Sequence, residues 1–89
     1  GADAVVNIQH EQCTMIFDNE PRNEQIVNRM KLAVDKKFNL VVWPESLKYK
    51  DINDMVIAGK TPAQIESIIY RSTYCGLEAH QHINNWKKV

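Results

Sequence analysis

The sequence predicts an α/β domain organised around a parallel βαβ unit, on three observations. Two short apolar runs, Cys13-Thr14-Met15-Ile16-Phe17 and Leu40-Val41-Val42-Trp43, have the length and branching of buried strands. Between them lies an amphipathic stretch of seventeen residues, 21–37, with apolar side chains at helical spacing. Turn chemistry closes each run, Asp18-Asn19-Glu20-Pro21 after the first and Pro44 after the second. A strand, a helical crossover and a second strand imply parallel pairing and a right-handed connection.

Taken in order, residues 4–8 (AVVNI) read either as a strand or as the last turn of a helix, and 7–12 as a polar connection. The run 13–17 is the first clear strand. Pro21 suits the first turn of the helix, where its missing N–H costs nothing. Ile26, Val27, Met30, Ala33 and Val34 then share one helical face, opposite Arg22, Glu24, Arg29, Lys31 and Asp35. Lys36 and Lys37 complement the negative end of the helix, and Asn39 turns the chain into the second strand, 40–43. A loop over 44–50 follows. Asp51 is positioned to cap a short helix over 52–58 that Gly59 ends. Thr61 and Pro62 form a cap and first-turn proline for a helix carrying Ile65, Ile68 and Ile69 and running toward Gly76. Tyr70 and Tyr74, one helical turn apart, are expected to pack against a neighbouring helix. The last helix, from 77 to about 87, offers Ala79, Ile83 and Trp86 to the core, and Trp43 is likewise read as packing. Two parallel strands rarely suffice for a sheet. A third is expected either from 4–8 or from a second copy of the chain.

Eighty-nine residues make one domain. A hydrophobic share of 44% and a charged share of 25% are ordinary for a globular chain and exclude disordered and coiled-coil classes. Eleven basic residues balance eleven acidic ones, so any polyanion must be met by a local patch rather than by overall charge. No apolar run approaches the ~20 residues that span a bilayer. Cys13 and Cys75 are too few for a disulfide scaffold and read as buried thiols of a reducing, cytoplasmic compartment. His80 and His82 are two apart on a helix and face different ways, so no zinc site is expected.

The candidate chemistry lies at the carboxyl ends of the two strands, where loops of a parallel sheet gather. Asp18 and Glu20 follow the first strand with one residue between them, which turns both side chains to one side. The loop after the second strand brings Asp51, with Asp54 one turn later, back to that rim. Carboxylates that converge repel one another unless a hard cation sits among them, and oxygen-only ligands suit Mg²⁺ or Mn²⁺. The plainer alternative is that Asp18 and Glu20 cap the helix beginning at Pro21 and Asp51 caps the next. One carboxylate can do both. Arg22, Lys48, Lys50 and Lys60 are the candidates for a local basic patch that contacts phosphate or nucleic acid, with Lys50 beside Asp51 the best placed.

Phe17-Asp18-Asn19-Glu20 at the end of an apolar strand, followed by a crossover helix and a strand leading to Lys50-Asp51-Ile52-Asn53-Asp54, resembles the catalytic Toprim domain of DNA primases. More narrowly, DNEPRNEQIV together with VVWPE and KDINDMVIAG resembles the primase subunit of T-even-like tailed bacteriophages, over residues 13–60. The resemblance implies a partial Toprim, Rossmann-like domain: a core over 13–60, two or three C-terminal helices within 61–89, and one extra N-terminal strand if 4–8 supplies it. It also implies synthesis of short RNA primers on a single-stranded DNA template from ribonucleoside triphosphates. Mg²⁺ or Mn²⁺ would be held by Asp18, Glu20 and Asp51, with Asp54 matching the local pattern. Glu20 stands where the family usually has aspartate.

The family's earlier glutamate, in a Glu-Gly context, has no counterpart, since Glu11 precedes Gln12. The family's zinc-binding module is also missing. The chain therefore reads as a C-terminal primase fragment that alone binds metal weakly and makes no primers, from a protein of the bacterial host cytoplasm with no membrane contact. A competing reading makes the C-terminal helices a docking module for the replicative helicase through Tyr70, Tyr74, Ile83 and Trp86. Others are a fragment of a Toprim topoisomerase or nuclease, or a phosphoreceiver domain with Asp18 as acceptor.

Overall fold

Strand β1 (Thr14–Met15) runs parallel to β2 (Asn39–Val41), with Thr14 opposite Asn39 and Met15 opposite Leu40, in a computed structural model that describes residues 13–89. Helix α1 (Glu24–Asp35) connects them, so the βαβ unit expected from the sequence is present. Three helices follow: α2 (Ile52–Ile57), α3 (Pro62–Arg71) and α4 (Gly76–Trp86). Between α3 and α4 a two-residue strand, β3 (Thr73–Tyr74), pairs antiparallel with β2 and completes the sheet in the order β1-β2-β3. The third strand thus comes from the C-terminal half of the described chain, and residues 4–8 lie outside the described residues.

β2 and the residues just after it organise the interior. Leu40 and Val42 point to one face and Val41 and Trp43 to the other, the period-two alternation of extended chain. The first pair packs with Val27, Met30 and Val34 of α1 and with Ala79, Ile83 and Trp86 of α4. The second packs with Met55 of α2 and Ile65 of α3. Both faces are therefore covered by helices, and this is why the second run is apolar throughout rather than alternating.

Local chemistry sets the element ends, in places differently from the sequence reading. Helix α1 starts after Asn23, whose Oδ1 accepts from the Ile26 N–H at 3.2 Å. Pro21 lies in the preceding turn rather than in the helix, and neither Asp18 nor Glu20 caps it. At the other end Lys37 turns the chain, at φ 74°, while Asn39 is already in β2. The Lys37 and Phe38 N–H groups donate back to Val34 and Ala33, a closure that satisfies the last carbonyls of α1. Helix α2 ends the same way on Gly59, at φ 95°, with the Lys60 N–H reaching Met55. The Asp51 cap and the Thr61 cap with Pro62 stand where the sequence placed them, and Gln64 adds the reciprocal bond that makes the second a capping box.

Tyr70 and Tyr74 do not share a helix. Tyr70 is 85% exposed, and Tyr74 sits on β3 with its ring stacked on His82, centroids 3.6 Å apart. Ile83 and Trp86 are buried in the α1–α4 core, so they serve packing rather than docking. The thiols are free but not buried: Cys13 is half-exposed and Cys75, just before α4, is exposed. Among the described residues no helix is long and apolar enough to cross a membrane.

Candidate functional site

The loop after β1 and the loop after β2 are joined through one side chain. The backbone N–H of Asn19 donates to the carbonyl of Lys50. Its Nδ2 donates to the carbonyls of Leu47 at 3.2 Å and Tyr49 at 3.0 Å, and its Oδ1 accepts from Trp86 Nε1 at 3.0 Å. A half-buried loop needs partners for its backbone groups, and one amide supplies them with both donors and its acceptor in use. Trp43 adds a further tie, its Nε1 donating to the Phe17 carbonyl at 2.8 Å. Asn19 is the joining residue that the sequence reading passed over as an ordinary turn residue. The only local signal was its place between two carboxylates.

That junction decides where the acidic residues go. Asp18 and Glu20 flank Asn19, and Asp51 follows Lys50, so the backbone bond from Asn19 to Lys50 sets the two acidic segments side by side. Glu20 Oε1 lies 3.2 Å from Lys50 Nζ, and Glu20 Oε2 accepts from Asn23 Nδ2 at 3.1 Å. The Lys50 ammonium is held above its ordinary pKa of 10.5, first by its hydrogen bond to Glu20 and the charge of that carboxylate. Asp18 and Asp51 add to the shift, while burial opposes it. Direct contact joins Glu20 alone to Lys50, and Asp18 and Asp51 reach it only through longer-range charge. Asp51 also caps α2, its Oδ1 accepting from the Asp54 N–H at 2.8 Å, so capping and a role at the rim coexist. Asp18 is exposed, with no hydrogen bond or ion pair to its carboxylate among the described residues. Asp54 is exposed on the first turn of α2.

The basic candidates are dispersed. Lys50 is inside the acidic rim. Arg22 lines a shallow concavity with Glu20, Pro21, Asn23 and Lys88. Lys60 stands 5.6 Å over the Tyr49 ring, and Lys48 is exposed in the same loop. Among the described residues no group of three His, Cys, Asp or Glu side chains is gathered closely enough to hold a metal ion by itself. The structure therefore does not gather Asp18, Glu20, Asp51 and Asp54 into a ready-made ligand set.

Beside the rim a cleft of about 580 Å³ opens between the 44–47 loop, α3 and α4. Arg71, Tyr74, His82 and Asn85 line it, and Trp86 forms part of the wall while its indole N–H holds Asn19. Cleft and rim thus share a structural member.

No family model matches this chain. The DNA primase of Enterobacteria phage T4 is 34% identical to it over 76 residues. The match covers 83% of this chain and 22% of that enzyme, so the chain spans about a fifth of the length of the curated relative it matches. The chain is therefore similar to a segment of a DNA primase.

Proposed function

We propose that this chain is the part of a phage-type DNA primase that carries the acidic rim of a Toprim-like catalytic core. The whole protein, on this reading, makes short RNA primers on single-stranded DNA from ribonucleoside triphosphates. Similarity to a primase segment supports this reading, together with the Asn19–Lys50 junction, which joins the loop bearing Asp18 and Glu20 to the segment that leads into Asp51. Similarity to a primase favours this over a topoisomerase or nuclease built on a similar edge.

Asp18 and Asp51, which are not in ion pairs among the described residues, would hold Mg²⁺ together with Glu20. When bound, the ion would neutralise triphosphate charge and lower the pKa of a primer hydroxyl. The chain's own contribution is positioning and electrostatics. Asn19 fixes the separation of the two acidic segments, Lys50 supplies a point charge able to meet a phosphate, and Arg22 extends positive charge past Glu20. A helicase partner would meet exposed apolar side chains of the C-terminal half, such as Tyr70 and Leu77, rather than the buried Ile83 and Trp86.

A chimaera tests the proposal. The matched 76 residues replace their counterpart in the phage T4 enzyme. With single-stranded DNA, ribonucleotides and Mg²⁺ the chimaera is expected to make primers, and Asp51→Asn to reduce the rate by about a hundredfold or more. The 89-residue chain alone is expected to make none. A folded chimaera that stays inactive, or one indifferent to both Asp18→Asn and Asp51→Asn, would overturn the assignment.

A further inference from the structure

We propose that the cleft beside the rim binds one nucleotide. The Arg71 guanidinium takes its phosphate, the ring pair Tyr74–His82 stacks its base, and the Ser72 hydroxyl and Asn85 amide meet its polar edges. The choice of a nucleotide rests on the primase reading, whereas the form of the site rests on its own side chains.

The turn from α3 into β3 assembles most of it. Arg71 ends α3, Ser72 follows, and Tyr74 lies on β3, so three lining residues fall within one short segment. The Ser72 carbonyl accepts from the Val42 N–H at 2.9 Å, which pins this turn to the chain leaving β2. His82 and Asn85 approach from one side of α4.

What these residues leave unused points to the ligand. Ser72 is only 4% exposed, yet its hydroxyl makes no hydrogen bond among the described residues. No polar side-chain atom there is both enclosed and unpaired, so this hydroxyl is reached from the cleft it lines. A few such polar groups in an otherwise apolar cleft are what orient a small ligand. Arg71 Nε donates to the Ser67 carbonyl at 3.3 Å, and both terminal amino groups are without a partner among the described residues. Glu45, the acid of the lining, is already countered by Lys88 at 3.7 Å. The cleft thus presents one uncompensated positive charge, on a fork that matches two phosphate oxygens.

The rings supply the rest. Tyr74 packs against the interior and carries the His82 ring at 3.6 Å, 13° from parallel. A ring pair anchored at the core extends naturally by one more flat ring, and every base has a face that can stack. The indole N–H groups of Trp43 and Trp86 are engaged elsewhere, so these two contribute apolar wall. At about 580 Å³ the cleft is of small-ligand size. The nucleotide can be a free ribonucleoside triphosphate or one unit of a single strand, since both offer the same base and phosphate.

The test is an NMR titration of the 89-residue chain, with metal removed by EDTA, following backbone amide signals of residues 71–74 and 82–86. The probes are ATP, decathymidylate and inorganic tripolyphosphate. At least one of the first two should shift these signals, and the tighter of them names the source. Tripolyphosphate, which has no base, should bind about fivefold more weakly or worse. Arg71→Gln should weaken the nucleotide about tenfold. His82→Ala should weaken it about fivefold, with recovery in His82→Phe. Arg29→Gln, on the exposed side of α1, should stay within about twofold. Circular dichroism confirms that each variant is folded. Signals that move with neither nucleotide, tripolyphosphate binding as tightly as both, or affinity indifferent to Arg71→Gln and His82→Ala would overturn the site. An active chimaera would then keep the primase reading without the cleft. An inactive chimaera would remove the primase reading, with the titration still deciding the cleft.

Discussion

The interior around β2 and the rim at its carboxyl end are a few residues apart in sequence and are held by different physics. The interior depends on apolar burial on both faces of one strand. Leu40, Met55 and Ile83 are wholly removed from solvent, on three different elements. The rim depends on one asparagine and one solvent-accessible ion pair. Burial is insensitive to salt and to charge, whereas an exposed pair is screened and exchangeable. The fold can thus keep its geometry while the ion pair at the rim opens and closes.

The largest effect that would blur this contrast belongs to the interior. Ile83→Ala should cost about 3 kcal/mol, read as a lowered urea midpoint with little change in slope. Met55→Ala, on the opposite face, should cost a similar amount. Neither chain, where it stays folded, should change its preference for Mn²⁺. Loss of cation binding in a folded Ile83→Ala chain would show that rim and interior are one unit.

Asn19→Ala sits between the two regions. It strips donors from Leu47 and Tyr49 and leaves the Trp86 indole N–H without its acceptor, for a loss of about 2 kcal/mol. Unlike the core variants it should also weaken Mn²⁺ binding several-fold, because the two acidic segments lose their fixed separation. Tryptophan fluorescence reports both, since Trp86 is bonded to Asn19 and Trp43 to the Phe17 carbonyl.

Asp51 separates capping from a role at the rim. Asp51→Ala should cost about 1 kcal/mol through the lost cap of α2. Asp51→Ser should recover that stability and leave cation binding impaired. Recovery of both by serine would reduce Asp51 to a cap.

The smallest effect is that of Lys50→Met on stability. A folded-state pKa raised above 10.5 makes the lysine's contribution fully present below that value and lost as the pH climbs through the folded-state pKa. Any gap between wild type and Lys50→Met in thermal melts should therefore be small and should close at strongly alkaline pH. A gap that opened with rising pH would contradict the ion pair.

What was legible in the sequence was local. Asp51, Gly59, Thr61 and Pro62 carry capping chemistry within a few residues of the ends they define, and the run Leu40 to Trp43 declared its burial by composition. Strand polarity places the Asp18–Glu20 and Lys50–Asp51 segments side by side, but it does not gather their carboxylates into one ligand set. What escaped was non-local or too short to have a period. β3 is two residues long and exists because β2 offers a free edge. The work of Asn19 depends on carbonyls 28 and 30 positions away and on an indole 67 positions away. Lys37 adopts a left-handed conformation that lysine does not advertise, and Asn23 outcompeted Pro21 for the start of α1 because its carbonyl oxygen reaches the Ile26 N–H.

Paramagnetic broadening of backbone amide signals at substoichiometric Mn²⁺ bears most directly on whether the rim gathers a cation. Selective loss of the signals of residues 18–20 and 50–54, reversed by chelation and absent in Asp51→Asn, is the expected result. Broadening spread evenly over the chain, or centred on α3 and α4, would contradict it.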